Sequence, residues 1–242
     1  MSEPDPVKDE PVAREPLFRA PKVVLIVIAI LVAVHVAIQL GGQNWQIWSL
    51  YAFSFIPARV SGAAPFPGIW GSQAWSFVTY GFLHADMMHL FFNSLWFLVF
   101  GSVVARRLGA FRFLVLTCVS TIAGAAAMLF IHWGEAAIMI GASGAVSGLM
   151  AAAIPLMYGE GLRLGDTYRR DIATVRPLRP LEILTNRRAL IFTLVWIAVT
   201  LFSGASGWTG GSFLEEARIA WEAHLGGFAA GLVAFYWLDR RN

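Results

Sequence analysis

Charge is scarce in this chain, cysteine is nearly absent, and no spaced set of metal ligands can be found. Each lack removes a class of protein. Only 14% of the 242 residues are Asp, Glu, Lys or Arg, against 57% hydrophobic, and the mean hydropathy is +0.64. A soluble domain is about half apolar and a quarter charged, so a single helical membrane bundle replaces the one or two soluble domains this length would allow. Cys118, the single cysteine, lies in an apolar run. That excludes an intrachain disulfide and leaves the redox compartment undetermined. No Cys or His pairs stand at zinc-ligand spacing and there is no His-Glu-x-x-His, so no metal and no other cofactor is expected. There is also no signal peptide to read: the first apolar run follows a mixed, acidic tail without a small-residue cleavage site. The third to fifth apolar runs hold no carboxylate, and no inverted repeat is visible, which argues against a transporter or channel.

What is present is a set of six apolar runs. Residues 1–21, rich in Pro, Glu and Asp, read as a disordered cytoplasmic tail, and 22–242 as one membrane domain. The first span covers about Val23 to Leu40 and contains His35, which is expected to face the bundle or the interface because a His facing lipid is costly. Gly41 to about Ser76 forms a long connection with Trp45, Trp48, Tyr51, Trp70 and Trp75. Such aromatics favour the membrane–water boundary, so this outer loop is expected to lie partly in the interface. Span two is expected over Phe77 to Gly101 and span three over Phe113 to Ile131. His132 to Glu135 follow as a short outer loop. Span four, Ser143 to Tyr158, is too short to cross ~30 Å of hydrocarbon at 1.5 Å per residue, which places Ser143 at the bottom of a recess. Span five is expected over Ala189 to Phe202, also short, and the glycine-rich stretch 204–216 as a mobile outer loop. Span six runs from about Ile219 to Leu238.

Lysine and arginine fall almost entirely on one side of these spans. Seven arginines (Arg163, Arg169, Arg170, Arg176, Arg179, Arg187, Arg188) crowd the loop after span four, and only Arg59 and Arg218 lie opposite. The basic side is therefore read as cytoplasmic, with both termini on it. Orientation accounts for these arginines, so no nucleic-acid partner is expected.

The starts of spans two, four and six then face outward together, and each carries chemistry. Ser143 stands between Gly141 and Gly144 at a helix start, where unpaired N–H groups point outward. His224 is followed by Gly227 and Gly231, a small-residue stripe that allows close approach of the glycine-rich start of span four. If those faces pack, His224 can act as general base to Ser143. Taken singly, Ser143 reads first as a small residue in a helix-packing face, and His224 is ambiguous in the same way. Asn93 lies one turn after His89 on one helix face and suits either oxyanion stabilisation or a helix-stitching polar network. No carboxylate is placed to orient His224: Asp86 reads as a solvated interface residue and Glu222 lies on another face. A Ser–His dyad is favoured over a triad.

Taken together these stretches resemble the rhomboid family of intramembrane serine proteases. The resemblance rests on His-x4-His-x3-Asn (His84, His89, Asn93), Gly-x-Ser-Gly (Gly141, Ser143, Gly144) and Ala-His-x2-Gly-x3-Gly (Ala223, His224, Gly227, Gly231), in order, over about residues 23–240. One departure is visible. Where members often carry Glu-x-Trp-Arg, this chain has Gln73, Trp75 and Ser76. The resemblance implies an all-α membrane protein, a rhomboid-like bundle of six transmembrane helices with a long interfacial first outer loop. It implies a serine endopeptidase of the bacterial inner membrane that cleaves single-span membrane proteins within lipid, near the outer surface. Ser143 would be the nucleophile, His224 the base, and Asn93, His89 and the Ser143 N–H the oxyanion donors. The alternative is an inactive relative that binds or escorts membrane proteins.

Overall fold

The computed structural model describes residues 20–63, 69–159, 172–205 and 220–239. Ten α-helices carry the described chain. They are α1 (Lys22–Leu40), α2 (Gly42–Phe53), α3 (Pro57–Ser61), α4 (Ser72–Thr79), α5 (Met87–Leu108), α6 (Ala110–Ile131), α7 (Ser143–Met157), α8 (Pro180–Thr185), α9 (Arg187–Ala205) and α10 (Trp221–Leu238). The described part of the protein is an all-α bundle built on α1, α5, α6, α7, α9 and α10, of which α1, α5, α6 and α9 are long and apolar enough to cross a membrane. The tail at 1–19 and most of the glycine-rich stretch 204–216 lie outside the described residues.

Of the remaining two bundle helices, α7 forms the centre and α10 packs against it. In α7 every residue from Gly144 to Leu156 is buried. A helix apolar on all sides belongs inside, and its 15 residues span roughly 22 Å. Glycines bring α10 against it without side chains between. A Cβ placed on Gly227 would lie 2.1 Å from the Gly144 carbonyl oxygen, and one on Gly231 2.3 Å from Gly148 Cα. On its other side α10 meets α6, where Gly226 faces the Ala123 carbonyl and Gly124 the Ala223 carbonyl.

Several boundaries differ from those read in the sequence, each for a local reason. The long outer connection is helical over α2, α3 and α4 rather than a loop. Its stacked, largely exposed Trp45 and Trp48 rings still suit an interface. Phe77 belongs to α4, not to span two. The chain turns through a 3-10 segment at Tyr80–Phe82, and α5 starts at Met87 because the Asp86 carboxylate accepts the His89 N–H at 2.8 Å. Asp86 is thus a helix cap, not a solvated bystander. Span five is longer than expected: Asn186 accepts the N–H groups of Arg188 and Ala189 at 3.1 Å, so the helix begins at Arg187.

The outer connection is anchored without an arginine at Ser76, which is fully buried. Trp75 Nε1 donates to the Ala52 carbonyl at 2.8 Å, and Thr79 Oγ1 to Phe53 at 2.8 Å. Arg59 donates to the carbonyls of Ser54 and Tyr51 at the end of α2. A two-residue antiparallel bridge, Phe55 with Met139, then ties this connection to the strand-like approach to Ser143.

The opposite end of the bundle is locked by Arg107. It is 5% exposed and holds Asp239 in two hydrogen bonds of 2.8 and 2.9 Å, while also donating to the carbonyls of Ile172 and Val175. Arg107 near the end of α5 and Asp239 just after α10 therefore place these two helix ends at the same end of the bundle. Arg107→Ala leaves Asp239 buried and uncompensated, which costs about 3 kcal/mol. Thermal unfolding in detergent is expected to show a clear drop in Tm, with Arg107→Lys falling between the two.

Candidate functional site

The loop from Met139 to Ala142 sets the position of Ser143. Met139 is held by the bridge to Phe55, and the Gly141 N–H donates to the Tyr80 carbonyl at 3.0 Å. Tyr80 is itself fixed by its hydroxyl on the Thr121 carbonyl at 2.8 Å. Gly141 has a φ of +117°, which side chains rarely adopt. There is no room for one either. A Cβ there would lie 2.7 Å from His89 Nε2, with Ser143 Oγ 3.8 Å away on the same side. His89 and Ser143 therefore converge over Gly141.

His89 has a defined proton arrangement. Its Nδ1 faces the Ala85 N–H at 3.4 Å, and a backbone N–H can only donate. The ring's own proton then sits on Nε2, the nitrogen beside Gly141. Asn93, one turn on, donates from Nδ2 to the His89 carbonyl at 2.9 Å. That leaves the amide's second N–H for another acceptor. His84 precedes α5 instead of lying on it, yet its ring still packs edge-on against His89 at 5.1 Å. His35 is buried on α1 and faces the bundle.

His224 is delivered by α10. Ala223 stands against Gly144 and Gly124, and Gly227 touches the Gly144 backbone, so the residues next to Ser143 and His224 are in direct contact. Among the described residues no hydrogen bond joins the Ser143 hydroxyl to the His224 ring; the backbone contact holds them at one level. Their exposure sets them apart. Ser143, His89 and His224 are part-exposed while Gly141, Ala142, Gly144 and Ala223 around them are buried. No cluster of three or more His, Cys, Asp or Glu able to hold a metal occurs among the described residues.

The structure brings together Gly141, Ser143, Gly144 and His89, Asn93 below α5's cap, and the α10 face carrying His224, Gly227 and Gly231. It also shows an ion cluster that sequence reasoning missed. His132, expected in a plain outer loop, bridges Glu135 at 2.8 Å and Glu222 at 2.7 Å. Glu222 is therefore occupied away from His224. The cluster joins residues far apart in the chain, and the one local signal was an acidic residue in the first turn of α10.

A Rhomboid domain family model matches residues 71–241. Among curated proteins the chain is 24% identical over 220 residues to the rhomboid protease GlpG of Yersinia pestis (strain Pestoides F), covering 91% of this chain and 62% of the relative. The GlpG of Yersinia pseudotuberculosis serotype O:3 (strain YPIII) matches with the same figures. That of Yersinia enterocolitica serotype O:8 matches at 24% over 222 residues, 90% of this chain and 63% of the relative. The chain thus spans a little under two thirds of the length of these relatives.

Proposed function

The chain belongs to the rhomboid family, and from that and the site geometry we propose that it is an intramembrane serine endopeptidase acting through Ser143 and His224. The observation that carries this is the part-exposed Ser143 at the start of a buried helix, with His89 Nε2 over Gly141 and the His224 helix in backbone contact at Gly144. His224 takes the Ser143 proton as Oγ attacks the scissile carbonyl. The oxyanion is met by the Ser143 N–H, His89 Nε2–H and the second Asn93 N–H. His224 then gives its proton to the leaving amine, and water releases the acyl group. A hydrogen bond between Ser143 and His224 forms with substrate seated, since catalytic hydrogen bonds often tighten only in the complex.

The substrates are single-span helices that unwind locally, because a carbonyl in an intact helix is already hydrogen-bonded. The multi-pass bundle lies in the bacterial inner membrane with its basic end, the Arg107 end, in the cytoplasm, and the site opens toward the outer surface.

Incubating the purified full chain with a fluorescent transmembrane reporter tests the reading. Cleavage supports it. Binding of the reporter without cleavage supports an escort protein instead. Within this reading Asn93→Ala removes one oxyanion donor and is expected to lower kcat ~10²-fold with KM little changed. An Asn93→Ala enzyme as fast as wild type would confine Asn93 to the hydrogen bond with His89.

A further inference from the structure

The chemistry above needs His224 held still, and the turn of α10 that carries it begins at an ion cluster that the chemistry does not use. His132 ends α6 and is 9% exposed. Its Nε2 lies 2.7 Å from Glu222 Oε1 in the first turn of α10, and its Nδ1 2.8 Å from Glu135 Oε2. Ionised carboxylates only accept, so each ring nitrogen must bring a proton, and the ring that satisfies both is an imidazolium. The helix ends favour the same charges: a cation at the α6 C-terminus and an anion at the α10 N-terminus. Glu222 is 4% exposed, so little water is available to replace the ring as its partner.

We propose that His132 is a positioning residue for His224, latching the first turn of α10 onto the end of α6 through an imidazolium that donates one N–H to Glu135 and the other to Glu222. The proposal rests on the reading of His224 as the base. One residue, Ala223, separates Glu222 from His224, and the Ala220 carbonyl accepts from both Ala223 and His224 at 3.1 and 3.3 Å. His224 therefore sits between two clamps. Gly226 and Gly227 pin the helix on one side of it, against α6 and α7. The ion cluster pins it on the other.

The latch titrates. The charged groups facing His132 are Glu135 from its own loop and Glu222 from α10. From α3, which meets this loop through the Ala58 N–H on the Glu135 carbonyl, Arg59 is turned to the Tyr51 and Ser54 carbonyls. Burial pushes the His132 pKa down, but its hydrogen bonds and charge contacts with Glu222 and Glu135 outweigh this and leave it raised above 6.5. A raised histidine stabilises below its ordinary value and loses that stabilisation as pH climbs through the raised one. The latch is closed below that raised value and opens as the pH climbs through it.

The test measures kcat and KM for reporter cleavage by full-length wild type, His132→Gln and His132→Lys from mildly acid to alkaline pH, with Tm alongside. His132→Gln is expected to lose ~10-fold in kcat with KM within about twofold, since small misplacements of catalytic groups are costly. The wild type's fall in kcat with rising pH should vanish in His132→Gln and move to higher pH in His132→Lys. If His132→Gln does not fold, the isosteric Glu222→Gln must show the same kcat loss. A wild-type kcat in the folded variant, or an unchanged fall in kcat with rising pH, overturns the latch alone. A wild type that does not cleave overturns the reading of His224, and the latch with it.

Discussion

Alanine at Ser143 or at His224 is expected to lower kcat/KM for a transmembrane reporter by at least ~10³-fold, and the double substitution should cost no more than the worse single one. Nucleophile and base act as one unit. Without His224 the serine keeps its proton and attacks poorly, and without Ser143 the base has nothing to activate. Ser147 provides the contrast. It lies one turn further into α7, is buried, and ties its hydroxyl to the Ser143 carbonyl at 2.8 Å. It faces packing and not the recess, so Ser147→Ala should stay within a few fold of wild type. Additive losses from Ser143→Ala and His224→Ala would mean that the two residues work separately.

The second large effect concerns glycines that carry no chemistry. At Gly227 a Cβ would lie 2.1 Å from the Gly144 carbonyl oxygen, and at Gly231 2.3 Å from Gly148 Cα. Both neighbours are backbone, so neither can swing aside. Alanine at either site must push α10 away from α7 by about 1 Å, and a displacement of that size costs about 10²-fold when it moves a catalytic group. His224 rides on the displaced helix. Gly227→Ala is expected to lose activity to that extent, and Gly231→Ala to lose 1–3 kcal/mol of stability through overpacking, with some activity. Gly101→Ala is the control: its Cβ would meet the Phe113 and Leu149 side chains at 3.4 and 3.6 Å, close to ordinary contact. Full activity in Gly227→Ala, at an unchanged Tm, would show that α7 and α10 are not packed as described.

These glycines also show why so much of the fold was legible in sequence. Gly144 and Gly148 recur every four residues, as do Gly227 and Gly231, and only a close helix contact rewards that spacing. Apart from α5, the apolar runs placed the bundle helices to within a few residues for the same reason: their period and composition are local. Boundaries failed where a single polar side chain decides them. Asp86 starts α5 ten residues later than the apolar run suggests, and Asn186 draws Arg187 and Arg188 into α9. Charges were least legible. Arg107 read as one more marker of the basic side, yet it is buried on Asp239, 132 residues away in the chain, a partner that no local pattern announces. His132 and Glu222 escaped for the same reason. Their pairing depends on α6 ending where α10 begins, which is a property of the assembled fold.

The most direct measurement of the central proposal is covalent labelling. A fluorophosphonate reacts only with a serine whose proton a base removes, so the detergent-purified protein is treated with one and the modified residue located by mass spectrometry. Modification of Ser143 in the wild type, and its absence in His224→Ala, is the expected result. Modification of another serine, or equal labelling of Ser143 with and without His224, would contradict it.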